Sequence, residues 1–150
     1  MPNPVTAPLK WFNAQSRAIP HFIIALVARF AAATPFWLSG QNKVTGWDIW
    51  NVTDSTVFLF EYEYALPVFS PALAASMASV AEHVFPILLV VGFLTRFSAL
   101  GLIVMTLVIQ TLVYPEAWSL HILWFTPLLY LLARGGGLLS VDHLSGIDRQ

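Results

Sequence analysis

Four long apolar stretches dominate this chain of 150 residues, and they constrain its fold more than any other feature. They cover residues 20–38, 71–94, 97–114 and 118–133, and the last is the shortest. A run of about 20 apolar residues is long enough to cross the hydrocarbon core of a bilayer. Only 10% of the residues are charged, whereas a soluble domain usually has about 25%. We therefore predict an all-α integral membrane protein, a single domain over residues 1–150 that forms a four-helix bundle.

The connection between the first two stretches is long and rich in aromatic side chains. Thr53 or Asp54 is suited to cap a short helix that continues to Leu66, although the alternating residues 58–64 also fit a strand. An open strand edge is not tolerated in lipid, so we expect a short helix in the membrane interface. We name residues 39–70 the lid, because they are expected to cover one end of the bundle.

The basic residues indicate how the chain is oriented. Lys and Arg are enriched in the short loops on the cytoplasmic side of a membrane. Lys10 and Arg17 precede the first stretch, Arg96 lies between the second and third, and Arg134 follows the fourth, whereas Lys43 is the single basic residue of the lid. This pattern predicts a multi-pass protein with both termini in the cytoplasm and the lid outside or in the periplasm.

Composition excludes several classes of function. The chain has no cysteine, so thiol–disulfide chemistry, thiolate metal sites and cysteine-ligated iron–sulfur clusters are excluded within it. A net charge of −1 offers no basic face for nucleic acid. The spacing of carboxylates and histidines matches no metal set, and no two histidines are predicted at the matching depth that a haem requires. We predict neither a metal nor a haem.

Two charged residues lie where a bilayer is least tolerant of them. Arg29 is near the middle of the first stretch and Glu82 is near the middle of the second. An unpaired charge at this depth costs at least roughly 2.5–3.5 kcal/mol. Adjacent antiparallel helices would place the two at similar depth, so we predict a charge-assisted Arg29–Glu82 pair. The pair has two interpretations that the sequence leaves open: a contact that fixes helix register, or part of a functional polar centre.

Three further residues extend this polar centre. His83 follows Glu82 but points about 100° away around the helix, and it is either a satisfied core residue or a functional one. Lys43 and His121 lie on the outer half, where they either continue a polar path or snorkel to the interface. The candidate catalytic residues are Glu82 and His83, and the candidate binding residues are Arg29, Lys43, Glu82, His83 and His121.

Short motifs accompany these residues at fixed places. The sequence SGQNK ends at Lys43, GFLTR ends at Arg96, and GGGLLSVD ends at Asp142. With Arg29 and Glu82, in this order and spacing, they make residues 20–144 resemble the DoxX family of small bacterial four-helix membrane proteins. The resemblance implies a location in the bacterial inner membrane. Arg29, Lys43, Glu82 and Arg96 are the positions that match the polar pattern of that family.

The resemblance also implies a class of function. Some DoxX proteins are membrane subunits of quinone-linked oxidoreductases, and others join membrane redox or detoxification complexes. We therefore expect such a subunit here, with a quinone bound near Glu82, His83 and Arg29. No redox centre is visible in the sequence, so a partner protein would have to supply the electrons, and whether the chain is itself an enzyme stays open.

Two alternatives belong to other classes of protein. One is a non-catalytic membrane anchor or assembly partner whose lid binds a periplasmic protein. The other is a small transporter, which the absence of an evident internal repeat disfavours. Small residues near positions 31–33 and 72–78 permit close helix contacts, either within the bundle or in a homo-oligomer.

Overall fold

The computed structural model describes residues 6–148, and they form helices and connecting loops with no strand. The α-helices of this part are α1 (Ala7–Arg17), α2 (His21–Gln41), α3 (Asp54–Leu59), α4 (Pro71–Val91), α5 (Thr95–Val108), α6 (Trp118–Arg134) and α7 (Val141–Leu144). Two π-helical turns, Phe60–Tyr64 and Ile109–Val113, continue α3 and α5, and a 3-10 turn, Pro115–Ala117, leads into α6. The prediction of an all-α protein is confirmed for the described residues.

Among residues 6–148, three helices are long and apolar enough to cross a membrane. They are α2, α4 and the continuous helix Thr95–Val113 that α5 forms with its π-helical turn. The fourth predicted stretch also folds as a helix, α6, but this helix has 17 residues. At 1.5 Å per residue its length is about 26 Å, slightly less than the roughly 30 Å of a hydrocarbon core. Three of the four predicted segments are therefore confirmed as helices with the length and composition of a membrane span.

The four long helices close into a ring. α2 packs against α4 and α6, and α5 packs against the same two helices. Short connections make consecutive members of the series α4, α5 and α6 antiparallel. Small side chains on α2 and α5 let the helices approach closely, as expected where lipid removes the usual hydrophobic driving force. The shared core contains Ala28, Ala32, Ala33, Phe36, Leu89, Ala99, Leu102, Ile103, Leu128 and Leu131.

The lid contains the short helix expected from its sequence. The Thr53 side chain caps α3 by accepting a hydrogen bond from the backbone N–H of Thr56, at 3.3 Å. The helix then continues as the π-helical turn Phe60–Tyr64 and ends at Ala65, whose φ is +38°. The prediction of a helix rather than a strand is confirmed. The predicted boundary at residue 38 is three residues early, because α2 continues to Gln41.

Aromatic contacts hold the lid against one end of the bundle. Phe60 shares a buried apolar cluster with Ala74 and Ala75 of α4. The ring of Tyr64 meets that of Tyr114 edge to face, with centroids 5.8 Å apart. The Tyr114 hydroxyl donates a hydrogen bond to Glu63, and this bond raises the pKa of Tyr114. These contacts join the lid to α4 and to the turn between α5 and α6.

The first helix was not anticipated from the sequence. None of the residues of α1 is buried. Its apolar side chains Leu9, Trp11 and Phe12 are between 61% and 66% exposed, and Lys10 and Arg17 lie among them. An exposed helix with this composition is typical of one that lies along a membrane surface.

Candidate functional site

Glu82 forms a closed network of polar contacts with two residues near the end of α2. The Lys43 Nζ atom lies 2.7 Å from Glu82 Oε2. Lys43 also donates to the hydroxyl of Ser39 at 2.8 Å, and that hydroxyl donates to Glu82 Oε1 at 3.2 Å. Glu82 and Lys43 are both buried. The carboxylate is therefore paired and hydrogen-bonded, which is the condition under which a buried charge is tolerated.

The predicted Arg29–Glu82 pair is wrong. Arg29 is 2% exposed, and its guanidinium donates to backbone carbonyls instead. The Arg29 Nε atom lies 2.7 Å from the carbonyl oxygen of Leu89, and a terminal nitrogen donates to Val90. The other terminal nitrogen lies 2.8 Å from the carbonyl oxygen of Leu139. Arg29 therefore binds the C-terminal end of α4 and the loop that follows α6.

The direction of side chains on antiparallel helices explains this difference. Each Cα–Cβ bond in an α-helix is tilted toward the N-terminus of that helix. Arg29 on α2 and Glu82 on α4 therefore lean toward opposite ends of the bundle, because the two helices run in opposite directions. Similar depth of the two backbone positions does not bring their long side chains together.

Arg96 likewise binds backbone carbonyls at the C-terminal end of a helix, in this case α6. One of its terminal nitrogens lies 2.7 Å from the carbonyl oxygen of Leu132 and 2.9 Å from that of Ala133, in the last turn of α6. Its Nε atom lies 3.2 Å from the carboxylate of Asp148. Cations stabilise the unpaired carbonyls and the negative dipole end at a helix C-terminus. Two of the four polar positions that match the DoxX pattern thus fasten helix ends.

Asp142 completes this end of the bundle, in a role that no local sequence pattern indicates. Its carboxylate accepts hydrogen bonds from the backbone N–H groups of Leu94 and Thr95, both at 2.8 Å, and so caps α5 from a distant part of the chain. The close approach requires glycine at position 92, where φ is +76° and an added Cβ would lie 2.5 Å from the Cβ of Ser140. The motif that ends at Asp142 is therefore a structural clasp.

His83 is held by two hydrogen bonds. Its Nδ1 atom lies 2.7 Å from the carbonyl oxygen of Ser79, which can only accept, so Nδ1 carries the proton. Its Nε2 atom lies 2.9 Å from the amide nitrogen of Gln41 and accepts from it. An added Cβ at Gly40 would lie 2.9 Å from the His83 ring, so glycine is what lets α2 approach α4 here. His83 is a satisfied core residue, with both ring nitrogens occupied.

A cavity of about 510 Å³ lies inside the bundle below the lid, within the size range of small-molecule sites. We call it the lid-side cavity. Its walls are almost entirely apolar, with aromatic faces from Phe36, Phe85 and Trp124. Apart from the indole of Trp124, the polar side chains on its walls are Ser39, Tyr64, Glu82, Tyr114 and His121. The cavity also reaches Met77 and Val104, which are 46% and 53% exposed, so it extends to the outer surface of α4 and α5.

His121 has a defined hydrogen-bonding state at the cavity wall. The amide nitrogen of Gln110 donates to the carbonyl oxygen of Pro115 at 2.6 Å, which fixes the orientation of the amide. The amide oxygen of Gln110 therefore faces His121 Nδ1, at 2.7 Å, and Nδ1 carries the proton. The Nε2 atom of this neutral ring has a free lone pair, and no residue in 6–148 hydrogen-bonds to it. His121 is 2% exposed.

The structure thus brings together only part of the predicted site. Glu82 and His121 line the same cavity, and Lys43 supports Glu82 from behind. Arg29 and His83 do not line it. Tyr64 and Tyr114 do, and sequence reasoning missed them because they join the cavity only when the lid folds onto the α5–α6 turn.

The helices and their buried polar interior define a multi-pass membrane protein of the helical-bundle class. Its family follows from sequence comparison. The DoxX family model matches residues 24–115, more than half of the chain, so the protein belongs to the DoxX family, as the sequence resemblance predicted. An uncharacterized protein of Haemophilus influenzae is 31% identical over an alignment of 128 residues that covers 79% of this chain and 81% of that relative. No solved structure matches the chain.

Proposed function

We propose that this protein is the membrane subunit of a redox or detoxification system and that it binds a quinone-type ring in the lid-side cavity. The observation that carries the proposal is the cavity itself: about 510 Å³ of apolar space with one buried carboxylate and one buried imidazole on its walls. Ligand sites in proteins commonly combine an apolar pocket with a few converging polar groups.

The position of the cavity supports an apolar ligand that arrives from the bilayer. The cavity extends to the outer surface along Met77 and Val104, on helices that qualify as membrane spans. That surface is expected to contact lipid tails. A quinone dissolved in the bilayer could therefore enter sideways, and the aromatic faces of Phe36 and Trp124 would pack against its ring.

Proton transfer is the chemistry that the cavity side chains can supply. Oxidation of a hydroquinone to a quinone releases two electrons and two protons. Glu82 and His121 are the groups on the cavity walls suited to accept protons. The chain has no cysteine for thiol redox chemistry, so in this proposal the two electrons pass to a redox-active partner protein, which is the opposite of the direction expected from the sequence. His83 takes no part in this scheme, because both of its ring nitrogens are occupied.

The test compares two substitutions of alanine by phenylalanine on α4. Ala78 lines the cavity and Ala72 does not. We expect protein purified from its native membrane to carry quinone that is detectable by solvent extraction and absorbance. Ala78→Phe should lose it, because the added ring fills the cavity, while Ala72→Phe should keep it. Wild-type protein that carries no quinone and takes none up when quinone is added would contradict the proposal.

A second candidate function is an anchor for a periplasmic partner, and the surface of the lid favours it. Trp47, Phe58 and Tyr62 are 81%, 62% and 67% exposed. Large exposed aromatic side chains are typical of surfaces that bind proteins or lie at a membrane interface. If the lid binds a partner, serine at all three positions should abolish co-purification of one defined protein and leave the quinone content unchanged. Unaltered co-purification would count against this function.

A further inference from the structure

The hydrogen-bonding state of His121 limits which ligands the lid-side cavity can accept. Gln110 and Pro115 fix the proton on Nδ1, so the Nε2 atom can only accept a hydrogen bond. His121 is a buried residue on the cavity wall, so a ligand in the cavity is placed to supply the missing partner of this atom. An apolar ligand that leaves Nε2 without a partner forfeits a hydrogen bond at a buried acceptor.

The Glu82 corner of the cavity is also an acceptor. Its carboxylate holds the hydrogens of the two nearest donors, since Lys43 lies 2.7 Å from Oε2 and Ser39 donates to Oε1 at 3.2 Å. The Lys43 Nζ atom also donates a hydrogen bond to the hydroxyl oxygen of Ser39. These donors are therefore engaged, whereas the carboxylate that pairs with Lys43 has further lone pairs that can accept hydrogen bonds.

The remaining polar groups on the walls do not reverse this preference. The hydroxyls of Tyr64 and Tyr114 interact with each other, and Tyr114 donates to Glu63 at the lid. Trp124, whose ring lies 5.0 Å from that of His121, presents its face to the ligand in the proposed arrangement. A ligand hydroxyl can donate to His121 Nε2, whereas a carbonyl has no hydrogen to donate and would leave Nε2 unpaired.

On the basis of the proposed function, we infer that the lid-side cavity selects the hydroxyl-bearing form of its ligand, the hydroquinone, over the quinone. His121 would be the residue that determines this selection, and Gln110 would act through it by holding the tautomer. The protein would accordingly take up the reduced ring from the bilayer. When a redox-active partner protein accepts its two electrons, Glu82 and His121 accept its two protons. Once the proton has left His121, the quinone carbonyl faces only an acceptor at Nε2, and the oxidised ring is released.

The experiment uses three probes of nearly the same shape: tetramethylhydroquinone, tetramethylbenzoquinone and the dimethyl ether of the hydroquinone. Binding to the purified full chain in lipid nanodiscs is measured by anaerobic titration calorimetry. We expect the hydroquinone to bind at least about tenfold more tightly than the quinone or the ether, as one hydrogen bond to a buried acceptor predicts. His121→Phe should abolish that difference. His21→Phe, which removes an imidazole outside the cavity, should leave it unchanged.

A second variant keeps the test decisive if His121→Phe does not fold. Gln110→Leu removes the acceptor that holds the proton on Nδ1, so the tautomer with a proton on Nε2 becomes accessible and the preference for the hydroquinone should fall. Equal binding of all three probes by the wild type, lost in Ala78→Phe, would overturn this inference and leave the proposed function standing. Binding of none of them would overturn both.

Discussion

At the scale of single residues, the role assigned to a buried charge depends on the partner that it contacts. Arg29 and Glu82 first appeared to be partners because both lie in the middle of apolar stretches. In the structure Glu82 pairs with Lys43, and Arg29 binds backbone carbonyls at the opposite end of the bundle. Arg29 thus holds the end of α4 in place, while Glu82 faces the lid-side cavity, where we propose its functional role.

These pairings predict how leucine substitutions combine. Lys43→Leu or Glu82→Leu alone leaves one buried charge without its partner, at a cost of about 3–5 kcal/mol. The double substitution removes both charges, so it should unfold at a higher temperature than the less stable single variant. Arg29→Leu with Glu82→Leu should show no such recovery, because the two side chains share no contact.

Thermal unfolding in detergent, followed by size-exclusion chromatography, measures both pairs of substitutions. Arg29→Leu alone should be strongly destabilising, since several carbonyls at the end of α4 and in the following loop lose their donor. Recovery of stability in the Arg29/Glu82 double variant would show that the pairing described here is wrong.

At the scale of helices, the ends are fastened by residues far away in sequence. Arg29 binds the end of α4, Arg96 binds the end of α6, and Asp142 caps the start of α5. The sequence marked Arg29 as unusual, but a side chain that caps a helix from 48 residues away leaves no local pattern. Local caps are different, and Thr53 was identifiable because it lies next to the helix that it caps.

The crossing of α2 and α4 gives a prediction at the same scale. Gly40→Val would place side-chain atoms where the ring of His83 lies, 2.9 Å from the position of an added Cβ. The two helices should separate locally and weaken the bonds of Glu82 and His83 to α2. We expect a loss of about 1–3 kcal/mol in stability, the usual cost of overpacking.

Thr34→Val is the matched control for Gly40→Val, because Thr34 is an exposed residue of the same helix. Unfolding temperatures of the two variants should differ clearly, with Thr34→Val close to wild type. Gly40→Val that is as stable as the control would mean that close approach of α2 and α4 is not required.

At the scale of the whole molecule, the C-terminal clasp bears on how many helices cross the membrane. Asp142 contacts Leu94, so the loop after α6 lies at the same end of the bundle as the turn between α4 and α5. The turn that leads into α6 lies at the opposite end, against the lid. A helix that connects these two ends should cross the bilayer although it has only 17 residues.

This topology can be tested directly because the chain has no native cysteine. Single cysteines at the exposed positions Gln15, Asn51 and Leu144 report on α1, the lid and the C-terminal part. A membrane-impermeant thiol reagent added to intact spheroplasts should label only Asn51→Cys, and the other two should react after permeabilisation. Labelling of Leu144→Cys together with Asn51→Cys would show that α6 does not cross.

The sequence by itself determined the membrane class, the helical fold, the family and the positions of the buried charges. These properties depend on local composition and on spacing along the chain, which a sequence displays directly. The tertiary structure alone decided which charge meets which partner, and that Glu82, His121, Tyr64 and Tyr114 share one cavity. The physical reason is that these contacts depend on side-chain direction across antiparallel helices and on the docking of the lid, and neither property is local.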